Sequence, residues 1–291
     1  MRVRALLHPL VWLLVLSMPA TPFAQGTATT AKPRASDAQA EKPRPSEAQK
    51  SYEPEVGQAG KDVVWVPTPQ ALVDKMLDMA KVTPQDYVID LGSGDGRTVI
   101  TAAKRGATAL GIEYNPEMVE LSRRNAKEAG VSDKATFMKA DLFETDFSKA
   151  QVITMFLLPT INLKLRPKLL DLKPGTRIVS NSFTMEEWEA DQTETINDDC
   201  TSWCTALLWI VPAKVEGPWT LASGPGELRL KQHFQHVSGA IGSQDISEGR
   251  LRGSEITFKA GNATYTGRVD GNTITGTITG GRGGTWTATR K

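Results

Sequence analysis

Asp90-Leu91-Gly92-Ser93-Gly94-Asp95-Gly96-Arg97 is the stretch that decides the fold of this 291-residue chain. The short apolar strand Val88–Leu91 runs into it, and a helix over 97–105 runs out of it. Glycines permit positive φ and let backbone come close to a ligand. The helix N-terminus beyond them favours negative charge. Strand, tight turn and helix in that order open a sheet wound with helices on both faces. A nucleotide-like ligand is then expected over the turn, at the carboxyl ends of the strands.

The alternation continues outward. Upstream, Thr68-Pro69 opens a helix, with Thr68 as its cap and Pro69 in its first position; Leu72, Val73, Met76, Leu77 and Ala80 form its apolar face. Downstream come strand 109–113, a helix from Asn115-Pro116-Glu117 to Ala129 stopped by Gly130, strand 136–138 and strand 152–157. The last is apolar throughout apart from Thr154, as a central parallel strand should be. A helix over about 160–171, strand 177–181, a short helix near Glu186–Ala190 and strands over about 192–197 and 205–212 complete the pattern. The expected fold is α/β, a Rossmann-like doubly wound sheet of about seven strands spanning 62–212.

From 213 to 291 the helix signals vanish. Gly249–Gly253 and Gly267–Gly271 repeat at a period of 18, each followed by a strand-like run, 255–258 and 273–275. Gly-Asn pairs at 261–262 and 271–272 are hairpin signals. A small antiparallel all-β domain is expected, with Trp219 and Trp286 closing a barrel or sandwich core. It reads as a stability or contact module; Arg250, Arg252 and Arg268 offer a basic binding face as the alternative. His233 and His236, three apart, would face opposite sides of one strand, which argues against a metal pair.

Charge separates the two halves. Residues 62–212 hold 16 basic and 22 acidic side chains, whereas 213–291 hold 10 and 6. With 34 Lys plus Arg against 33 Asp plus Glu overall, the chain lacks the basic excess of a dedicated nucleic-acid binder. Two cysteines and three histidines exclude a disulfide scaffold and a structural zinc site of four thiolates, or of three plus an imidazole. No metal is expected. None of the histidines falls in 62–212, so histidine-based nucleophilic catalysis there is excluded. Cys200 and Cys204 fall on the loop between the last two strands of the sheet, where free thiols and a disulfide are both open readings.

Residues 1–24 begin with Arg2 and Arg4, continue through the apolar run Leu10–Leu16 and end in small residues. This is the layout of a secretory signal cut after Ala24, with an uncleaved membrane anchor as the alternative. Either places the rest of the chain outside the cytoplasm, in the periplasm or beside the membrane; a cytoplasmic chain with a misassigned start is the remaining option. Residues 25–61, rich in Ala, Pro, Ser, Glu and Lys, lack apolar periodicity and read as a disordered tether.

The glycine turn also narrows the ligand. A dinucleotide fingerprint needs a glycine where Arg97 stands. G-x-G-x-G after an acidic residue resembles instead the S-adenosylmethionine (SAM) turn of class I methyltransferases. Glu113, ending the second strand, can accept both ribose hydroxyls. Asp141, after the third, can accept from the adenine amino group, and Asp90, Gly92, Ser93, Gly94 and Gly96 complete the cofactor set. Trp65-Val66-Pro67-Thr68, the 90–97 turn, Gly111–Pro116, Ser122-Arg123-Arg124 and Asp141-Leu142-Phe143 together resemble the protein-lysine methyltransferases that modify the ATP synthase c-subunit and the adenine nucleotide translocase. The likeness covers about 62–190. It implies SAM binding at Asp90–Gly96 and Glu113, a protein substrate, and an acceptor site near Trp65–Thr68. Trp65 stands where the family has Tyr, and Asn181-Ser182-Phe183-Thr184 replaces a Phe-Pro-rich stretch; both departures lie on the acceptor side. Trp65, Phe156, Leu158 and Phe183 can wall a slot for a lysine, with Thr68 or Asn181 accepting a hydrogen bond from its amine. The absence of Asn-Pro-Pro-Tyr or Asp-Pro-Pro-Tyr after strand 152–157 argues against amide or base-amine methylation. A small-molecule methyltransferase and a non-catalytic, exported SAM-binding module remain as alternatives.

Overall fold

In the computed structural model, which describes residues 52–222 and 226–291, seven strands form one sheet. They are β1 (Tyr87–Leu91), β2 (Thr108–Glu113), β3 (Ala135–Lys139), β4 (Val152–Met155), β5 (Arg177–Asn181), β6 (Gln192–Thr195) and β7 (Thr205–Ile210), in the spatial order 3-2-1-4-5-7-6. β1 to β5 pair in parallel, and β7 alone runs against its neighbours. The strand order reverses between β1 and β4, which sets the ligand crevice at their carboxyl ends.

Alternating side chains on each strand explain the two helical layers. Val88, Val152, Val179 and Leu208 face α1 (Gln70–Met79), α2 (Arg97–Lys104) and α3 (Pro116–Glu128). Ile89, Ile153, Ile178 and Trp209 face α4 (Pro159–Leu170). β4 is buried along its whole length, as its composition requires.

Several local expectations fail for identifiable reasons. Pro69, not Thr68, caps α1; the Thr68 hydroxyl instead meets Asn181, whose Nδ2 donates to it at 3.2 Å. No helix forms near Glu186–Ala190; Met185 and Trp188 form a β-bridge instead. Trp188 is drawn into the core against Trp209, whose Nε1 donates to the Trp188 carbonyl at 2.7 Å.

Residues 217–290 form a closed antiparallel barrel of eight strands: β8 (Gly217–Leu221), β9 (Glu227–His233), β10 (His236–Ile241), β11 (Gln244–Arg252), β12 (Glu255–Ala260), β13 (Ala263–Asp270), β14 (Thr273–Gly280) and β15 (Gly284–Arg290). Closure leaves no free sheet edge. Trp219, Phe258 and Trp286 fill the core. His233 and His236 do not share a strand: they face one another across the β9–β10 hairpin, so their side chains lie on the same side. Among the described residues no three potential ligands gather into a metal site.

Barrel and sheet touch along α4 and β7. Phe234 at the β9–β10 turn stacks on Trp188, and Arg250 donates to Asp191 at 2.8 Å. Arg250 thus joins the two halves rather than offering a free basic face. The signal-like residues 1–24 and the first part of the expected tether, to residue 51, lie outside the described residues. Residues 52–61, given to the tether by their composition, instead cross the carboxyl edge of the sheet. Among the described residues no helix is long and apolar enough to cross a membrane.

Candidate functional site

A cavity of about 580 Å³ opens at the carboxyl ends of β1, β2 and β4. Its floor is the glycine turn. Gly94 sits at φ +54°, and a Cβ there would lie 2.7 Å from Trp65 Nε1, so only glycine lets the indole lie across the turn. Gly96, at φ +82°, is the residue from which α2 starts; a Cβ on it would strike the Phe137 ring at 2.8 Å. Arg97, which breaks the dinucleotide pattern, ties the turn to the chain above it. It pairs with Asp95 and donates from Nη1 to the Thr68 carbonyl at 2.9 Å.

Of the five carboxylates that line the cavity, three stand along successive strand ends. Asp90 on β1 is buried and accepts from Thr154 Oγ1 at 2.6 Å. Burial pushes its pKa up to about 7, against the lowering effect of the Thr154 bond; Asp95 and Glu113 add to the rise. Glu113, at the end of β2, accepts Gly94 N–H at 3.0 Å through Oε2 and Asn115 N–H at 2.9 Å through Oε1. Those bonds fix the carboxylate over the turn. Asp141 follows β3; Lys61 beside it, and then the Phe143 N–H, hold its carboxyl below the usual range. The Asp141 carboxylate offers about four acceptor sites, so two remain for a further donor. Lys61 also lies over the Tyr114 ring at 4.5 Å.

These residues fit SAM. Glu113 stands at a strand end where ribose hydroxyls find an acceptor. Ser93 lines the cavity, and its buried Oγ has no partner among the described residues. Asp90 and Glu113 supply negative charge for a ligand carrying a sulfonium and an ammonium.

The opposite side is apolar. Phe156, Leu158 and Phe183 line it, with Trp65 over the glycine turn and Thr68 also in the cavity lining. Asn181 is not in the lining; it is fully buried behind Thr68, to which it donates. Two contributors were not visible in the sequence. Asn162 on α4 donates to the carbonyls of Phe183 and Thr184 at 3.2 Å each, holding the Phe183 turn from below. Trp203 lines the cavity from the β6–β7 loop, which the Cys200–Cys204 disulfide closes. No local pattern marks either one, since both act across the fold.

The likeness to known proteins lies in the sheet. The family model described as the ANTKMT methyltransferase domain matches residues 90–192. A protein-lysine N-methyltransferase of Saccharolobus islandicus is 45% identical over 139 residues, 47% of this chain and 86% of that protein. The Mus musculus lysine N-methyltransferase of the ATP synthase c-subunit is 40% identical over 107 residues, 36% of this chain; the chain spans only 43% of that relative's length. A solved RNA methyltransferase from Salinibacter ruber in complex with S-adenosyl-L-homocysteine is 47% identical, with 52% of this chain and 96% of that one covered at a TM-score of 0.48. On its match to nearly the whole archaeal relative, the chain belongs to the family of SAM-dependent protein-lysine N-methyltransferases.

Proposed function

We propose that this chain methylates the ε-amino group of a lysine on a protein outside the cytoplasm. The observation that carries the lysine reading is the pairing of two unlike walls in one cavity, carboxylates along β1–β3 and aromatic rings after β4 and β5. Bound SAM supplies an electrophilic methyl group on a sulfonium. The protein's part is alignment of donor and acceptor, which alone accounts for a large share of such a displacement.

The acceptor lysine must arrive as the free amine, against a reference pKa of about 10.4. An apolar wall of Phe156, Leu158 and Phe183 disfavours its charged form, and its proton leaves to water. Thr68 Oγ1 accepts from Asn181 Nδ2 and keeps a lone pair for an amine N–H. That bond turns the nitrogen's own lone pair away from Thr68. No histidine is needed. The 22 acidic against 16 basic residues of 62–212 suit a cationic partner.

Export is supported by the signal-like residues 1–24 and by the Cys200–Cys204 disulfide, since such bonds persist in oxidising compartments. Retained uncleaved, the apolar run would keep the enzyme beside a membrane. Cell fractionation with N-terminal sequencing tests this: a periplasmic chain starting at Gln25 supports it, and a cytoplasmic chain that keeps Met1 contradicts it.

The activity is tested with methyl-labelled SAM and a cell-envelope lysate. Label located on a lysine by mass spectrometry supports the reading. Label in small molecules or in RNA replaces it, and SAM binding without transfer makes the chain a binding module.

A further inference from the structure

Trp203 is out of place for a surface loop residue. The residue is 45% exposed, one of six large apolar residues so placed among the described residues. It holds a left-handed backbone, φ +58°, which a bulky residue rarely adopts. Its ring lies 5.1 Å from that of Phe183 and 6.0 Å from that of Phe156, which stack on each other at 5.8 Å. Phe183 is fixed from below, because Ser180 Oγ and Asn162 both donate to its carbonyl. Trp203 has no such support from the sheet. What constrains its backbone is the disulfide from Cys200 to Cys204, which brackets it within five residues. Asp198 and Asp199, both exposed, stand immediately before that ring of residues.

An indole is the strongest of the aromatic faces for a cation, and quaternary or methylated ammonium groups are the ligands such faces select. We infer that Trp203, presented by the disulfide-closed loop, binds the alkylammonium end of the acceptor side chain as it arrives, before its proton is lost to water, and that the Cys200–Cys204 bond is what keeps it in place. This rests on the lysine reading and deepens it. Trp203 touches the acceptor; the two cysteines are positioning residues that act through it. The carboxylate wall that receives SAM belongs to other elements, so the two effects separate.

The probe is tetramethylammonium chloride, titrated against the full chain with sodium chloride as the control at equal ionic strength. Indole NMR signals report it, and calorimetry reports SAM affinity on the same samples. In the wild type, the signal lost in Trp203→Phe shifts with tetramethylammonium and not with sodium. Trp203→Ala weakens that binding at least fivefold, Cys200→Ser/Cys204→Ser weakens it by a similar factor, and Trp203→Phe keeps most of it. SAM affinity stays within twofold in all three variants, which also shows that they fold. Equal tetramethylammonium affinity in wild type and Trp203→Ala overturns the inference. Wild-type affinity in the double serine variant overturns the role of the disulfide. Absence of SAM binding in the wild type would instead strike the methyltransferase reading, so the two failures are distinguishable.

Discussion

Sheet and barrel both enclose cores, and the cavity described above opens at the end of the sheet. The parallel strands β1 to β5 deliver their following loops to the same edge, so residues distant in sequence, from Gly92 to Phe183, converge on one cavity. The barrel's antiparallel strands send alternate loops to opposite ends, and Trp219, Phe258 and Trp286 occupy its interior. The candidate site therefore sits where strand direction gathers loops, whereas side chains fill the barrel interior. The two are joined by Phe234 against Trp188 and by Arg250 to the buried Asp191 carboxylate.

The largest test of that contrast is in the barrel. Trp219 is fully buried and donates from Nε1 to the Val215 carbonyl at 2.8 Å. Trp219→Ala should cost about 3–5 kcal/mol of stability, read by denaturant unfolding, while SAM affinity of the folded protein stays within about twofold by the relation between free energy and Kd. A large loss of SAM affinity at unchanged stability would break the separation of the two regions. In the sheet the expectation inverts. Glu113→Ala removes a carboxylate fixed by two backbone donors, and should weaken SAM by at least about tenfold, or about 1.5–3 kcal/mol. Asp90→Ala should weaken it by about tenfold. Both effects are measured by calorimetry.

Asp90 also gives the sheet a pH dependence near neutrality. Its carboxyl ionises near pH 4 when unfolded and at about 7 when folded. Between those values the folded chain holds a proton that the unfolded chain has lost, so this group's contribution to stability falls as pH rises. Thermal unfolding of the ligand-free protein should show that decline. A cationic ligand favours the ionised form, so SAM should bind more tightly as pH rises through about 7 and release protons on binding, seen in buffers of different ionisation enthalpy. Asp90→Asn should abolish both effects. The smallest change is expected at the rim: Lys61→Ala should alter SAM affinity by less than about threefold, because the Asp141 carboxylate has acceptor sites to spare.

Much of the sheet was legible because its signals are local. Glycines at 92, 94 and 96, the apolar run 152–157 (of which Val152–Met155 forms β4) and Asn115-Pro116 each dictate their own backbone, and Asn115 does cap α3 by accepting from Glu117 N–H at 2.9 Å. The misreadings involve long-range competition. Thr68 has the residue type of a cap, but its hydroxyl meets Asn181, far along the chain. Glu186–Ala190 has helical composition, but burying Trp188 against Trp209 outweighs that propensity. Trp203 and Asn162 act only through partners that the fold brings near. In the barrel, glycine spacing marked hairpins at 261–262 and 271–272, both of which form. The pairing of β15 with β8, which closes the cylinder, has no local mark.

The central claim is that the cavity carboxylates hold SAM. Calorimetric titration of SAM into the full chain and into Glu113→Ala, side by side at pH 7.5 and equal salt, tests it most directly. The account predicts one site per chain in the wild type and at least about tenfold weaker binding in the variant. Equal affinity in the two, or no heat in the wild type, would contradict it.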